Sequence, residues 1–118
     1  MIARLRPSNW RGAWWCWNAL RRVRRDLRRN GLDVSVKPPP ASLPRSASRG
    51  VNAVLRRQPS TCLERALVLQ RWLASHGDRH EVVVGVAKPG ESFTAHAWLD
   101  HEADDALGHE ELMRLPAP

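Results

Sequence analysis

Apolar residues recur every three or four positions through 13-AWWCWNALRRVRRDLRRN-30, where Cys16, Leu20, Val23 and Leu27 form a stripe that Trp10, Trp14 and Trp17 extend upstream, with arginines between them. That period belongs to a helix with one apolar side. It predicts a helix over 13–29, stopped by Gly31. The next stretch, 34-VSVKPPPASLPRSAS-48, has no period. Its three consecutive prolines impose polyproline geometry and remove backbone donors, so it reads as an extended spacer. Val51, Val54 and Leu55 then give 48-SRGVNAVLRR-57 one apolar side, a short helix ended by Gln58 and Pro59.

A longer helix is predicted over 62–75. Thr61 followed by Glu64 makes a capping box, which puts Cys62 at the first helical position. Leu63, Ala66, Leu67, Leu69, Leu73 and Ala74 supply a broad apolar face. Beyond His76 and Gly77 the period changes to two. Val82, Val83, Val84, Val86 and Ala87 read as a largely buried strand over 81–87, 88-KPGES-92 as a turn, and 93-FTAHAWLD-100 as a second strand. In that strand Phe93, Ala95, Ala97 and Leu99 share one side, and Thr94, His96, Trp98 and Asp100 the other. Helices followed by a hairpin make an α+β chain. Its expected parts are a basic, Trp-rich helical segment (1–33), a Pro/Ser-rich spacer (34–47) and a compact domain (48–118).

Composition sharpens this picture in three ways. With 118 residues and 42% hydrophobic content, the chain suits one small core, adequate but not generous, to which a partner is expected to contribute. No run approaches the roughly 20 apolar residues needed to span a bilayer, and 1-MIARLRPSNWRGAWWCW-17 has prolines and arginines where a secretory apolar region would be, so the expectation is a cytoplasmic protein. Cys16 and Cys62 are too few for a disulfide framework. Charge is uneven: residues 1–57 carry 14 of the 19 Lys and Arg with only Asp26 and Asp33 as acids, a net +12, whereas 58–118 carry five basic and ten acidic groups, a net −5. The basic helix could meet an anionic lipid surface or nucleic acid. The plainer reading, a helix docked on its own domain or a partner with a solvated arginine face, is preferred, because no nucleic-acid-binding motif accompanies the charge.

The candidate chemistry centres on Cys62 and His96. A cysteine in a core helix is ordinarily a small apolar residue. Cys62, however, falls in the first turn, where backbone N–H groups lack intrahelical partners and carry partial positive charge, a setting that favours thiolate. A strand histidine is ordinarily a structural hydrogen-bonder, but His96 stands between two alanines that leave its ring accessible. A metal is the competing use of His76, His80, Cys62, His96, His101 and His109. It is set aside because Gly77 breaks the helix between His76 and His80, and no CxxC or HExxH is present.

The segments TCLERALVLQRWLASHG, VVVGVAKP and FTAHAWLD together resemble the leader peptidase of lasso-peptide biosynthesis, the B protein, within the transglutaminase-like (papain-like) cysteine peptidase superfamily. The resemblance covers about residues 48–118. It implies a nucleophile-bearing helix packed on a small antiparallel sheet, with Cys62 as nucleophile and His96 as general acid/base. It also implies a precursor peptide as substrate, a separate leader-recognition protein and a lasso cyclase acting downstream; no nucleic-acid partner is expected, since no binding motif is present. No metal or redox cofactor is required. Relatives have been associated with a nucleotide requirement, but no phosphate-binding loop is present. The third catalytic residue stays open. Asp100 is roughly 13 Å along the strand from His96, so an acid on a neighbouring strand is expected. If 102-EADDA-106 makes the turn, Glu111 falls opposite His96, with Glu110 and Asp105 as rivals; residues 107–115 could instead be helical, and the site could be a dyad. The alternative function is a non-catalytic basic module binding an anionic surface or a partner protein.

Overall fold

The computed structural model describes residues 7–87, 95–102 and 109–118. These residues group into two compact units, Met1–Ser60 and Thr61–Pro118. The expected turn at 88–92, Phe93, Thr94, and residues 103–106 of the second expected turn, including Asp105, lie outside the described residues.

In the first unit α1 runs Pro7–Asn30 and α2 runs Ser48–Arg57, preceded by a single 3-10 turn at Arg45–Ala47. Gly31, at φ 61°, ends α1 in the left-handed conformation. The buried stripe of α1 is Asn9, Gly12, Cys16, Ala19, Leu20 and Val23. Cys16, Leu20 and Val23 are therefore where the periodicity put them, and Trp17 is half-buried, but Trp10 and Trp14 are 64% and 67% exposed. The reason is the crossing of α1 with α2. A Cβ at Gly50 would run into the Asn9 carbonyl oxygen, and one at Gly12 would lie 2.8 Å from the Ala47 carbonyl oxygen. Backbones that close exclude indole rings from the contact side. Between the helices residues 33–40 form no regular element and a turn follows at 41–42, where the Leu43 amide donates to the Pro40 carbonyl (3.0 Å); this stretch is tied to α1 by Trp15 Nε1 donating to the Lys37 carbonyl (3.3 Å) and Arg11 Nη2 donating to Ser42 Oγ (2.8 Å), with Leu43 buried.

In the second unit α3 (Cys62–Ala74) packs on an antiparallel sheet of β1 (Val82–Ala87), β2 (Ala95–Leu99) and β3 (His109–Leu115), in the order β2-β1-β3. Residues 109–115 are thus strand rather than helix. β3 pairs with β1, carrying a bulge between Val84 and Gly85. The core is Val68 and Trp72 of α3 with Val82, Val83, Ala97 and Leu99 of the sheet. The helix buries Ala66, Leu67, Val68 and Trp72 most deeply, while Leu63, Leu69, Leu73 and Ala74 are half-buried. Gln70, only 5% exposed, donates its amide to the carbonyls of His80 (2.9 Å), Leu115 (3.1 Å) and Pro116 (3.2 Å). One side chain thereby ties α3 to the chain entering β1 and the chain leaving β3.

Gly50→Ala tests the helix crossing. In an open helix this change stabilises by about 0.5–1 kcal/mol, but here the new methyl meets backbone rather than a movable side chain, and overpacking costs about 1–3 kcal/mol. Net destabilisation, read as a lower denaturation midpoint, is the expected outcome. An unchanged or raised midpoint would show that α1 and α2 do not approach this closely.

Candidate active site

The start of α3 is built as a capping box. Thr61, extended at φ −75° and ψ 161°, accepts from the Glu64 amide through Oγ1 (3.1 Å), while Glu64 Oε1 accepts from the Thr61 amide (2.9 Å). The buried Glu64 carboxylate thus has a polar partner, and the box sets the helix to begin at Cys62, which is half-buried.

Among the described residues β2 is an edge strand, so half of its amides face away from β1. Asp100 N donates to the Glu81 carbonyl (3.0 Å). By antiparallel alternation the amides of Trp98 and His96 also point toward β1, and those of Ala97 and Leu99 point outward. Both outward donors are met by side chains. Leu99 N donates to Glu102 Oε1 (3.0 Å) and Ala97 N to Cys62 Sγ (3.3 Å). The sulfur is thereby held against the residue that follows His96, which places Sγ no more than about 6 Å from His96 Cα. The sulfur is thus met by an amide donor while its residue stands at the first position of α3.

His96 is half-buried and sits opposite Gly85 of β1. Its ring stacks with that of Trp98, centroids 5.7 Å apart at 25°. Trp98 is itself buried, over Gly85: a Cβ there would come 2.7 Å from Trp98 Cη2. The glycine in VVVGVA makes room for the indole, and the indole backs the imidazole. The sequence carried a signal for this, since a lone glycine inside an apolar strand marks close approach by something else.

The acid expected beside His96 is not where the sequence reading put it. The neighbour of β2 is β1, which contains no acidic residue. Glu111 lies opposite Gly85 on the far side, in β3, two interstrand spacings or about 9.6 Å from the β2 backbone. Its exposed carboxylate is gripped by Arg114, with Nε to Oε2 at 3.0 Å and Nη2 to Oε1 at 2.9 Å, and those hydrogen bonds hold it below the usual carboxylate range. Glu110 is opposite Val86 and exposed. Asp100, already judged too distant, has its carboxylate on the Glu81 amide and His80. Cys62 and His96 are brought to one strand edge; Glu111 is not.

Cys16, the other thiol, is fully buried in α1, and desolvation pushes it up to about 12.

A family model described as "Transglutaminase-like superfamily" (Transglut_core3) matches residues 11–115, beginning inside α1 and ending with the last residue of β3. No curated protein and no solved structure matches the chain.

Two labelling outcomes follow. Under limiting iodoacetamide near neutral pH, peptide mapping should find Cys62 alkylated at least about tenfold faster than Cys16; preferential labelling of Cys16 would remove Cys62 as the reactive thiol. Glu111→Gln should leave the Cys62 labelling rate within about twofold, whereas a tenfold loss would return Glu111 to the site.

Proposed function

The chain belongs to the transglutaminase-like superfamily, which includes cysteine peptidases, and on that premise we propose that it is a cysteine peptidase removing the leader from a lasso-peptide precursor. The observation that carries the reading is the Cys62 sulfur held by the Ala97 amide, directly beside His96.

In this reading His96 takes the Cys62 proton and the thiolate attacks the scissile carbonyl. The capping box occupies the amides of Thr61 and Glu64 and leaves that of Cys62, at the helix N-terminus, as a donor to the tetrahedral oxyanion. Protonated His96 then gives its proton to the leaving amine, and water hydrolyses the thioester with His96 as base. Trp98 keeps the ring from turning away from the strand edge. Cys62 and His96 carry the chemistry as a pair, and Glu111 stays on Arg114. The precursor peptide is the substrate, a separate leader-recognition protein delivers it, and a cyclase acts on the released core in the cytoplasm.

A second reading rests on the first unit. Exposed Trp14, with Trp15, Arg11, Arg22, Lys37 and Pro38, lines a groove of about 860 Å³ between α1 and the spacer. An aromatic groove ringed by cations suits an anionic surface. Retention on anionic vesicles that falls steeply with salt, together with absence of any Cys62-dependent cleavage, would favour it.

The deciding experiment supplies the full chain with a lasso precursor encoded beside it and its leader-binding partner. Cleavage should fall by at least about 10³-fold in Cys62→Ala and by about 10²–10⁴-fold in His96→Ala. Mass spectrometry should find a thioester on Cys62 in the wild type. Wild-type cleavage by Cys62→Ala would end the proposal.

A further inference from the structure

Four side chains that the thiol chemistry does not use converge where the chain enters β1 and leaves β2. His80 Nδ1 lies 2.7 Å from Asp100 Oδ1, and His80 Nε2 lies 2.8 Å from Asp78 Oδ1. The ring of His101 lies against that of His80, centroids 4.1 Å apart. One ligating atom from each of His80, Asp100 and His101 falls within 4.8 Å of the others.

A ring with a carboxylate at each nitrogen has two ways to satisfy both. It can be doubly protonated and donate twice; partial burial opposes that charge, but the hydrogen bonds and charges of Asp100 and Asp78 outweigh it and raise His80 above the ordinary imidazole range. Alternatively it can keep one proton on Nε2, facing Asp78, and turn a lone pair at Nδ1 toward a cation shared with Asp100 and His101. We propose that His80, Asp100 and His101 form a binding site for a divalent transition-metal ion of the zinc type, with Asp78 as the positioning residue that fixes the His80 tautomer.

The arrangement fits that ion for chemical reasons. A metal-bound imidazole characteristically donates its other N–H to a carboxylate, which sets ring orientation and basicity, and Asp78 is placed to accept it. Asp100 Oδ2 accepts from the Glu81 amide (3.1 Å), so Oδ1 is the oxygen turned to the cluster. Two imidazoles and one carboxylate make the mixed nitrogen and oxygen donor set that zinc and its neighbours take, with a fourth position for water. Calcium and magnesium prefer oxygen throughout. Along the chain, Gly77 parts His76 from His80, and no zinc motif such as CxxC or HExxH joins either to further ligands. The fold gives those two histidines different partners: His76, just past α3, bonds through Nδ1 back to the Trp72 carbonyl, while His80 meets Asp100 and His101. An ion here would clip the entry of β1 to the exit of β2, beyond the Val82–Leu99 pair.

Calorimetric titration of the chelator-treated full chain with Zn²⁺ tests this, alongside Co²⁺ absorption spectra and thermal melts. Expected are one Zn²⁺ per chain at about micromolar affinity or tighter, a Co²⁺ spectrum with imidazole ligation, and a melting temperature that rises with Zn²⁺ but not with Mg²⁺. Asp100→Asn and His101→Gln should each weaken Zn²⁺ at least about tenfold, and Asp78→Asn by about tenfold. Far-UV circular dichroism confirms that each variant is folded, with His101→Asn replacing any that is not. Cys62→Ser should bind Zn²⁺ as the wild type does. The site is refuted if the wild type takes up no Zn²⁺, if Cys62→Ser abolishes uptake, or if folded His101 variants retain full affinity.

Discussion

The second unit turns on one hydrogen bond, from the outward amide of Ala97 to the sulfur of Cys62. An edge strand presents alternate N–H groups to no strand, and such donors need partners or water. Here the edge of β2 is closed by a sulfur and a carboxylate, Cys62 and Glu102. The need to close that edge therefore also decides where the thiol sits. The capping box fixes this placement by setting Thr61 as the N-cap and Cys62 as the first residue of α3.

The rest of α3 is held at a second point two turns on. Gln70 spans the chain ends around β1 and β3, while Val68 and Trp72 pack beneath the sheet. A helix pinned at its first residue and at its middle cannot slide along the sheet without breaking buried amide hydrogen bonds. Reactive groups carried on rigid elements are positioned more closely than groups on loops. The histidine receives the same treatment by different means, since the absent side chain of Gly85 admits the Trp98 ring against which His96 stacks.

Acidic residues in this unit are largely committed to local partners. Glu64 caps the helix that bears the thiol, Glu102 closes the strand edge, Glu111 binds Arg114, and Asp78 and Asp100 flank His80. The negative charge of residues 58–118 thus has specific work within its own unit.

Local chemistry was legible in the chain by itself. The Thr61–Glu64 box, the start of α3 at Cys62, the helical stop at Gly31 and the strands around 82–87 and 95–99 all follow from interactions within a few residues, and the structure shows each. Cys62 and His96 could be singled out because each stands at a marked position of its own element. Strand order was not legible: β3 pairs with β1 rather than β2, a choice made by long-range pairing, and it carried Glu111 away from His96. Nor was the outward face of Trp10 and Trp14. A helical period says which residues share a side, but the close crossing at Gly12 and Gly50 decided that glycine and asparagine, not tryptophan, would take the contact. The partners of His80 were likewise hidden, because Asp100 and His101 reach it only once the sheet has brought together residues twenty positions apart.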